Sequence, residues 1–400
     1  MIDSPYAWRR LAVSVTLSTL GGIGMWALAV AMPAAQGDLG VSRADISFAY
    51  SMNMVGFFLG GVIVGRLVDR HGVVIASIVS ALGLGAGFAL AASTSSLLAF
   101  AAAQALVGFS AAATFAPLIA DISLWFEKRR GVAVAIAASG NYIAGALWPP
   151  IVEAMIHHFG WRTTYISAAA MCVAVMIPLA FALRRRAPSH AAGSDVVAAQ
   201  RSLATLGLSP NGLQALLIVA GLSCCIAMSM PQVHIVAYCA DRGFGVAAGA
   251  EMLSLMLGFG IVSRIGSGWL ADKVGGAMTL LLGSTLQGLA LVFYLLADSV
   301  VSLYVVSALF GLFQGGIIPS YGVIVREYFP AKEAGARMGL AVSLTILGMA
   351  GGGWMGGALF DLTGSYRAAF LNGIAFNILN GAIVWWLLTR QSRRAPMAMA

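Results

Sequence analysis

The chain has 400 residues, of which 60% are hydrophobic and only 10% charged, with 48 glycines and a net charge of +8. Soluble domains carry about 25% charged residues, so a water-soluble enzyme or binding module of this size is excluded. The positive balance is not a nucleic-acid footprint, because Lys and Arg are confined to particular connections between apolar runs.

Stretches free of Asp, Glu, Lys and Arg mark the elements, since about 20 apolar residues cross the hydrocarbon layer as a helix. Span 1, expected over 10–32, follows Arg9-Arg10 but is too long for a secretion signal and lacks a small-residue cleavage site. Spans 2 and 3, expected over 46–65 and 73–92, are joined by Gly65-Arg66-Leu67-Val68-Asp69-Arg70-His71-Gly72. Span 4, over 97–121, is separated from span 3 at Ser93-Thr94-Ser95-Ser96. Spans 5 and 6 are expected over 131–155 and 162–183. A polar connection with Arg184-Arg185-Arg186 and Pro188 then reads as a cytoplasmic linker, 187–211, too short to fold alone. Spans 7 to 12 follow over 213–238, 247–270, 276–297, 301–325, 336–358 and 367–389. The expected architecture is an all-α integral membrane protein of twelve transmembrane helices in two pseudo-symmetric six-helix bundles, 1–186 and 212–400.

An internal repeat supports this division. Gly65 to Gly72 returns 203 positions later as Gly268-Trp269-Leu270-Ala271-Asp272-Lys273-Val274-Gly275. Trp125-Phe126 is echoed by Tyr328-Phe329, and Trp161-Arg162-Thr163-Thr164-Tyr165 by Tyr366-Arg367-Ala368-Ala369-Phe370. Related halves facing each other create a site between them. Charge tests the count independently. With cytoplasmic termini, only Arg43, Arg162, Arg242 and Arg367 fall outside and Arg264 within a span, which leaves 18 of the 23 Lys and Arg inside. One helix more or fewer would invert every later loop and destroy that asymmetry.

The repeated loop has a physical reading. Gly65 and Gly268 permit close helix approach, Asp69 and Asp272 can stabilise the positive amino-terminal end of a facing helix, and Arg70 stays at the headgroups. These five residues form a candidate conformational latch. The loop between spans 2 and 3, its copy between spans 8 and 9, and the basic linker after span 6 resemble the major facilitator superfamily over essentially the whole chain. Trp125-Phe126-Glu127-Lys128-Arg129-Arg130-Gly131, with Ala138-Ser139-Gly140, Pro149-Pro150 and Gly160-Trp161-Arg162, resembles the monocarboxylate and oxalate/formate porter branch. The resemblance implies a secondary transporter working by alternating access.

Arg264 is the foremost candidate for substrate chemistry. It lies about 6 Å above the repeated loop along span 8, at 1.5 Å per residue. A guanidinium there costs roughly 2.5–3.5 kcal/mol on insertion scales, which a bound carboxylate would offset through the planar fork. Snorkelling to the nearby surface is the alternative. Arg264 with Gly268 also matches an Arg-x-x-x-Gly arrangement in the resembling porters, where that Arg binds substrate; Gly260 stands where animal members carry an acid. Asn141, Tyr142, Thr114, His234, Gln314 and Tyr321 are further candidates to line a central site, with Phe115 as an aromatic wall, and each polar one is equally suited to hydrogen bonding between helices. His234 could carry a proton, as could Asp241 or Glu251.

The four cysteines have no Cys-x-x-Cys spacing and imply neither metal nor disulfide, and no cofactor motif is present. The function expected is inner-membrane transport of a small organic anion, a monocarboxylate in the first instance, by a monomer coupled to protons, with no enzymatic activity and no nucleic-acid partner. The rivals are a larger aromatic or vitamin-like solute and drug or metabolite efflux. Efflux is disfavoured because Gln104 stands where antiporters begin an Arg-x-x-x-Gly motif.

Overall fold

The computed structural model describes residues 2–185 and 206–394, without the side chains of Arg66, Asp69, Arg130, Ala331, Lys332, Ala334 and 391–394. Most of the expected linker, 187–211, therefore lies outside the described residues. Among the described residues the chain is helical, with short 3₁₀ and π turns and no strands.

Eleven continuous helical stretches are long and apolar enough to cross a membrane. One of them, Gly131–Phe181, has 51 residues, which at 1.5 Å per residue is more than twice the hydrocarbon thickness of about 30 Å. It turns at Gly160, whose φ of 79° and ψ of 160° are not helical. The stretch is therefore spans 5 and 6, and the crossings number twelve. Only glycine adopts that φ without strain, so the turn is made by one residue where the sequence suggested a loop of six.

The helices outrun the apolar stretches. Span 1 is Pro5–Leu39, slightly broken at Gly22; span 2 is Arg43–His71; and span 3 is Val73–Ser93. Span 7 is Pro210–Asp241, span 8 Val246–Val274, span 9 Gly276–Leu296, span 11 Ala331–Thr363 and span 12 Tyr366–Arg394. Caps set several of these starts. Ser42 and Asp45 form a reciprocal capping box before span 2, and the Ser209 hydroxyl accepts from the Gly212 N–H before span 7.

Spans 4 and 10 are discontinuous at matching places. Leu97–Ala111 and Ala116–Ser123 are separated by a 3₁₀ turn and by Phe115, at φ −114° and ψ −89°. Val300–Gln314 and Ile317–Tyr328 are separated by Gly315-Gly316. Pro117 and Pro319 lie in the first turns of the second halves, where the N–H has no partner within the helix to lose.

Glycines hold each bundle together. A Cβ on Gly108 would stand 1.8 Å from the Asn53 carbonyl oxygen, so spans 4 and 2 touch backbone to backbone. Gly311 meets the Met256 carbonyl in the same way, at 2.1 Å, which brings spans 10 and 8 together. The amino-terminal bundle is also fastened at the terminus face by buried Arg10. Its Nε and Nη2 donate to Asp121 at 2.7 and 2.8 Å, and Nη1 donates to the Leu183 and Arg185 carbonyls. All four cysteines are free and buried, as packing residues are.

Candidate substrate site

The bundles meet mainly along two helix pairs, spans 2 with 11 and spans 5 with 8, and the second half of span 1 also touches span 7. Spans 2 and 11 touch in the halves far from the chain termini. The Ser51 hydroxyl donates to the Ala350 carbonyl at 2.6 Å, and Tyr50 packs on Gly353. Asp361 receives the Arg43 and Ala44 N–H groups at 3.1 and 2.7 Å. Buried Arg43 adds an ion pair to Asp241 at 3.1 Å, a bond to the Tyr366 hydroxyl and one to Gln36 at 2.6 Å. Toward the terminus face, Gly61 and Gly65 of span 2 and Gly335 and Gly339 of span 11 have nothing within 4 Å of a Cβ position.

Spans 5 and 8 meet around mid-depth. Ser254 donates to the Ala146 carbonyl, and Leu257 fills the space beside Gly145. One turn further, Gly260 lies against Tyr142, and a Cβ on Gly260 would stand 2.4 Å from the ring. Arg264 comes next. Its guanidinium carbon sits 4.3 Å from the Tyr142 ring centre, Nη1 donates to the Ala138 carbonyl at 3.2 Å, and Nε is buried without a partner. Among the described residues no carboxylate pairs with it.

The energies leave this cation under-compensated. A desolvated cation–π contact contributes about 2 kcal/mol and one hydrogen bond to a charged group about 1.5–3, against the cost of stripping water from a guanidinium. Gly266 and Gly268, just below it, have open space around them. Arg264 thus sits half-buried where the sealed mid-depth contact gives way to the unsealed terminus side, and it can present free N–H donors to an anion entering there.

The other candidates divide. Asn141 adjoins Tyr142; its amide nitrogen lies 3.4 Å from the Met25 sulfur and its carbonyl accepts from the Trp26 indole. Thr114 and Phe115 form the break in span 4, with the Thr114 hydroxyl bonded to the Ala111 carbonyl and packed on Gly21. Gln314 is buried at the matching break in span 10, and both its amide atoms lack partners. Tyr321 points into its own bundle, where its hydroxyl donates to Asn380, which in turn donates to Ser284. His234 lies toward the far face, Nε2 against the Gly353 carbonyl at 2.8 Å and its ring centre 5.5 Å from that of Tyr366. The structure joins Arg264 and Tyr142, turns Asn141 toward span 1, and leaves His234 and Tyr321 apart from them. Glu251 accepts from the Tyr304 hydroxyl within its own bundle.

Of the latch residues, Arg70 and Asp272 are exposed, and Gly65 and Gly268 have empty surroundings. The Asp69 side chain lies outside the described set. Arg43, Asp361 and Tyr366 were not singled out as functional from the sequence, and Gly260 was noted only as the place of a missing acid. Arg43 had appeared only as one of four charges on the far side, because its partners come from spans 7, 11 and 12.

Twelve apolar helices in two related bundles, meeting around a cation that no carboxylate pairs with among the described residues, have the architecture of a membrane transporter. The chain belongs to the Major Facilitator Superfamily, whose sequence profile matches residues 15–302 and 252–397. It is 26% identical to monocarboxylate transporter 13 of Bos taurus over 347 residues, covering 84% of this chain and 78% of that protein. It is 27% identical over 324 residues to the agnestins efflux protein AgnL12 of Paecilomyces divaricatus, covering 78% of this chain and 70% of the relative. Among solved structures, a bacterial homologue of the human lysosomal transporter Spinster, in an inward-facing and occupied conformation, superposes with a TM-score of 0.76. The match covers 98% of both chains at 12% identity, which concerns the fold alone.

Proposed function

We propose that the protein carries a small organic anion, a monocarboxylate in the first instance, with Arg264 as the carboxylate receptor and Tyr142 as its support. The observation that carries this reading is the guanidinium stacked on Tyr142 with a buried, unpartnered Nε and no acidic neighbour among the described residues. A planar carboxylate offers two acceptors to one fork and neutralises the charge, which a neutral aromatic solute would not do. The name of the bovine relative agrees with this chemistry.

The terminus face is the cytoplasmic one in this reading, supported by the concentration of Lys and Arg there, and the membrane is the cell inner membrane. The far-side contacts of spans 2 and 11 then correspond to a state closed outside and accessible from the cytoplasm. A proton gradient is the drive, and a monomer suffices because both halves of the site lie in one chain. Efflux is the second reading, favoured by the fungal relative named for it. Purified protein in liposomes, screened over short organic acids with the proton gradient imposed in either direction, tests the proposal. Uptake of acids that follows an inward gradient supports it. Transport only of neutral aromatic solutes, or indifference to the gradient, contradicts it.

A further inference from the structure

The eight-residue pattern Gly-x-x-x-Asp-x-x-Gly occurs a third time, at the end of span 11, as Gly357-Ala358-Leu359-Phe360-Asp361-Leu362-Thr363-Gly364. The resemblance extends to geometry. Gly72, Gly275 and Gly364 have φ of 84°, 83° and 64°, and each N–H closes on the carbonyl four residues before it, at 2.8, 2.9 and 2.7 Å. Two of the copies end spans 2 and 8 at the terminus face. The third ends span 11 at the opposite face.

The third copy is engaged. A helix begins with N–H groups that have no partner in the helix, and at the start of span 2 each is accounted for. Ser42 and Asp45 exchange bonds at 3.2 and 3.1 Å, and the two between them, on Arg43 and Ala44, donate to Asp361 of the other bundle. The carboxylate thereby meets the positive end of span 2 as well as two donors. Gly357 makes this approach possible, because a Cβ there would stand 2.7 Å from the Arg43 carbonyl and 2.5 Å from the Ser47 hydroxyl. Gly65, in the corresponding place of span 2, has nothing within 4 Å.

We propose that Asp361 with Gly357 is a latch of the far face, holding it shut by capping the amino-terminal end of span 2. Arg43 and Ala44, whose N–H groups it takes, are the first two residues of span 2. Because these bonds join the two bundles and part when the far face opens, the latch biases the equilibrium toward far-closed molecules. Arg43 is a positioning residue here, since its bonds to Asp241 and Tyr366 fix the amino-terminal end that Asp361 caps. Span 5 carries His157 where the pattern has Asp, so the far end of that helix has no equivalent carboxylate.

The test is a pair of spin-label distances in the full chain freed of its four cysteines, Ser95 with Val301 across the far face and Lys128 with Lys273 across the terminus face. Asp361→Asn should raise the ratio of far-open to far-closed molecules roughly tenfold, as expected for losing a charged cap. Gly357→Ala should shift the ratio the same way without altering charge, and serves if Asp361→Asn lowers the yield of folded protein. Asp361→Glu, which keeps the charge, should hold the ratio nearer the wild-type value than Asp361→Asn does, which a general loss of packing would not do. If neither Asp361→Asn nor Gly357→Ala opens the far face, the far-face latch is wrong.

Discussion

Arg264 faces a ring and one carbonyl where a carboxylate would satisfy it better, and this gives single-residue changes around it clear signs. Tyr142→Phe keeps the ring face and should change substrate affinity less than threefold, whereas Tyr142→Leu removes a contact of about 1–2 kcal/mol and should weaken it roughly tenfold or more. Isothermal titration of the purified variants checks both. Gly260→Ala should weaken binding like Tyr142→Leu, because its methyl occupies the space that lets Tyr142 lie under the guanidinium. Arg264 itself was visible in the sequence as a cation inside an apolar run. Its support was not: Tyr142 and Gly260 lie in different bundles, and a contact between them leaves no mark in the local spacing of either helix. His234 and Tyr321 have the composition of site residues, yet bonds to the Gly353 carbonyl and to Asn380 hold them elsewhere.

Helix pairs within a bundle depend on glycine backbones that touch. Gly108→Ala places a methyl against the Asn53 carbonyl at 1.8 Å, a rigid neighbour that cannot swing aside, and should destabilise the protein by about 1–3 kcal/mol. Gly61→Ala, with open space around it, should leave the melting temperature in detergent nearly unchanged. A comparable drop in both variants would contradict this packing. The spans were legible because apolar length and charge-free runs follow from the bilayer itself. Their ends were less so: Arg43, His71 and Asp241 lie inside helices that continue into the headgroup layer, where charge is tolerated and hydropathy falls silent. The break between spans 5 and 6 was placed correctly within 156–161 but read as a loop, since nothing in the sequence shows that one positive-φ glycine turns the chain by itself.

The duplicated architecture was written in the sequence, in the loop at Gly65 and its copy at Gly268, and the four far-side arginines all lie on the face opposite the termini. Cysteine labelling from outside intact cells should therefore modify substitutions at Ser95 and Asp298 and spare those at Lys128 and Ser194. Labelling at Ser194 would invert the assignment of faces. The closed far face was not readable, because Arg43 draws its partners from spans 7, 11 and 12, brought together only by tertiary packing.

The central claim is that Arg264 binds the substrate's carboxylate, and ligand-induced thermal stabilisation of purified protein tests it without requiring turnover. A ligand at 100 times its Kd stabilises the folded state by about 2.7 kcal/mol, so wild type with the best acid should melt several degrees higher than without it. Arg264→Ala should lose that increment, Arg264→Lys should retain little of it because the fork geometry is gone, and the amide analogue of the acid should fail to stabilise the wild type. If Arg264→Ala is stabilised by the acid as strongly as wild type, Arg264 does not bind the carboxylate.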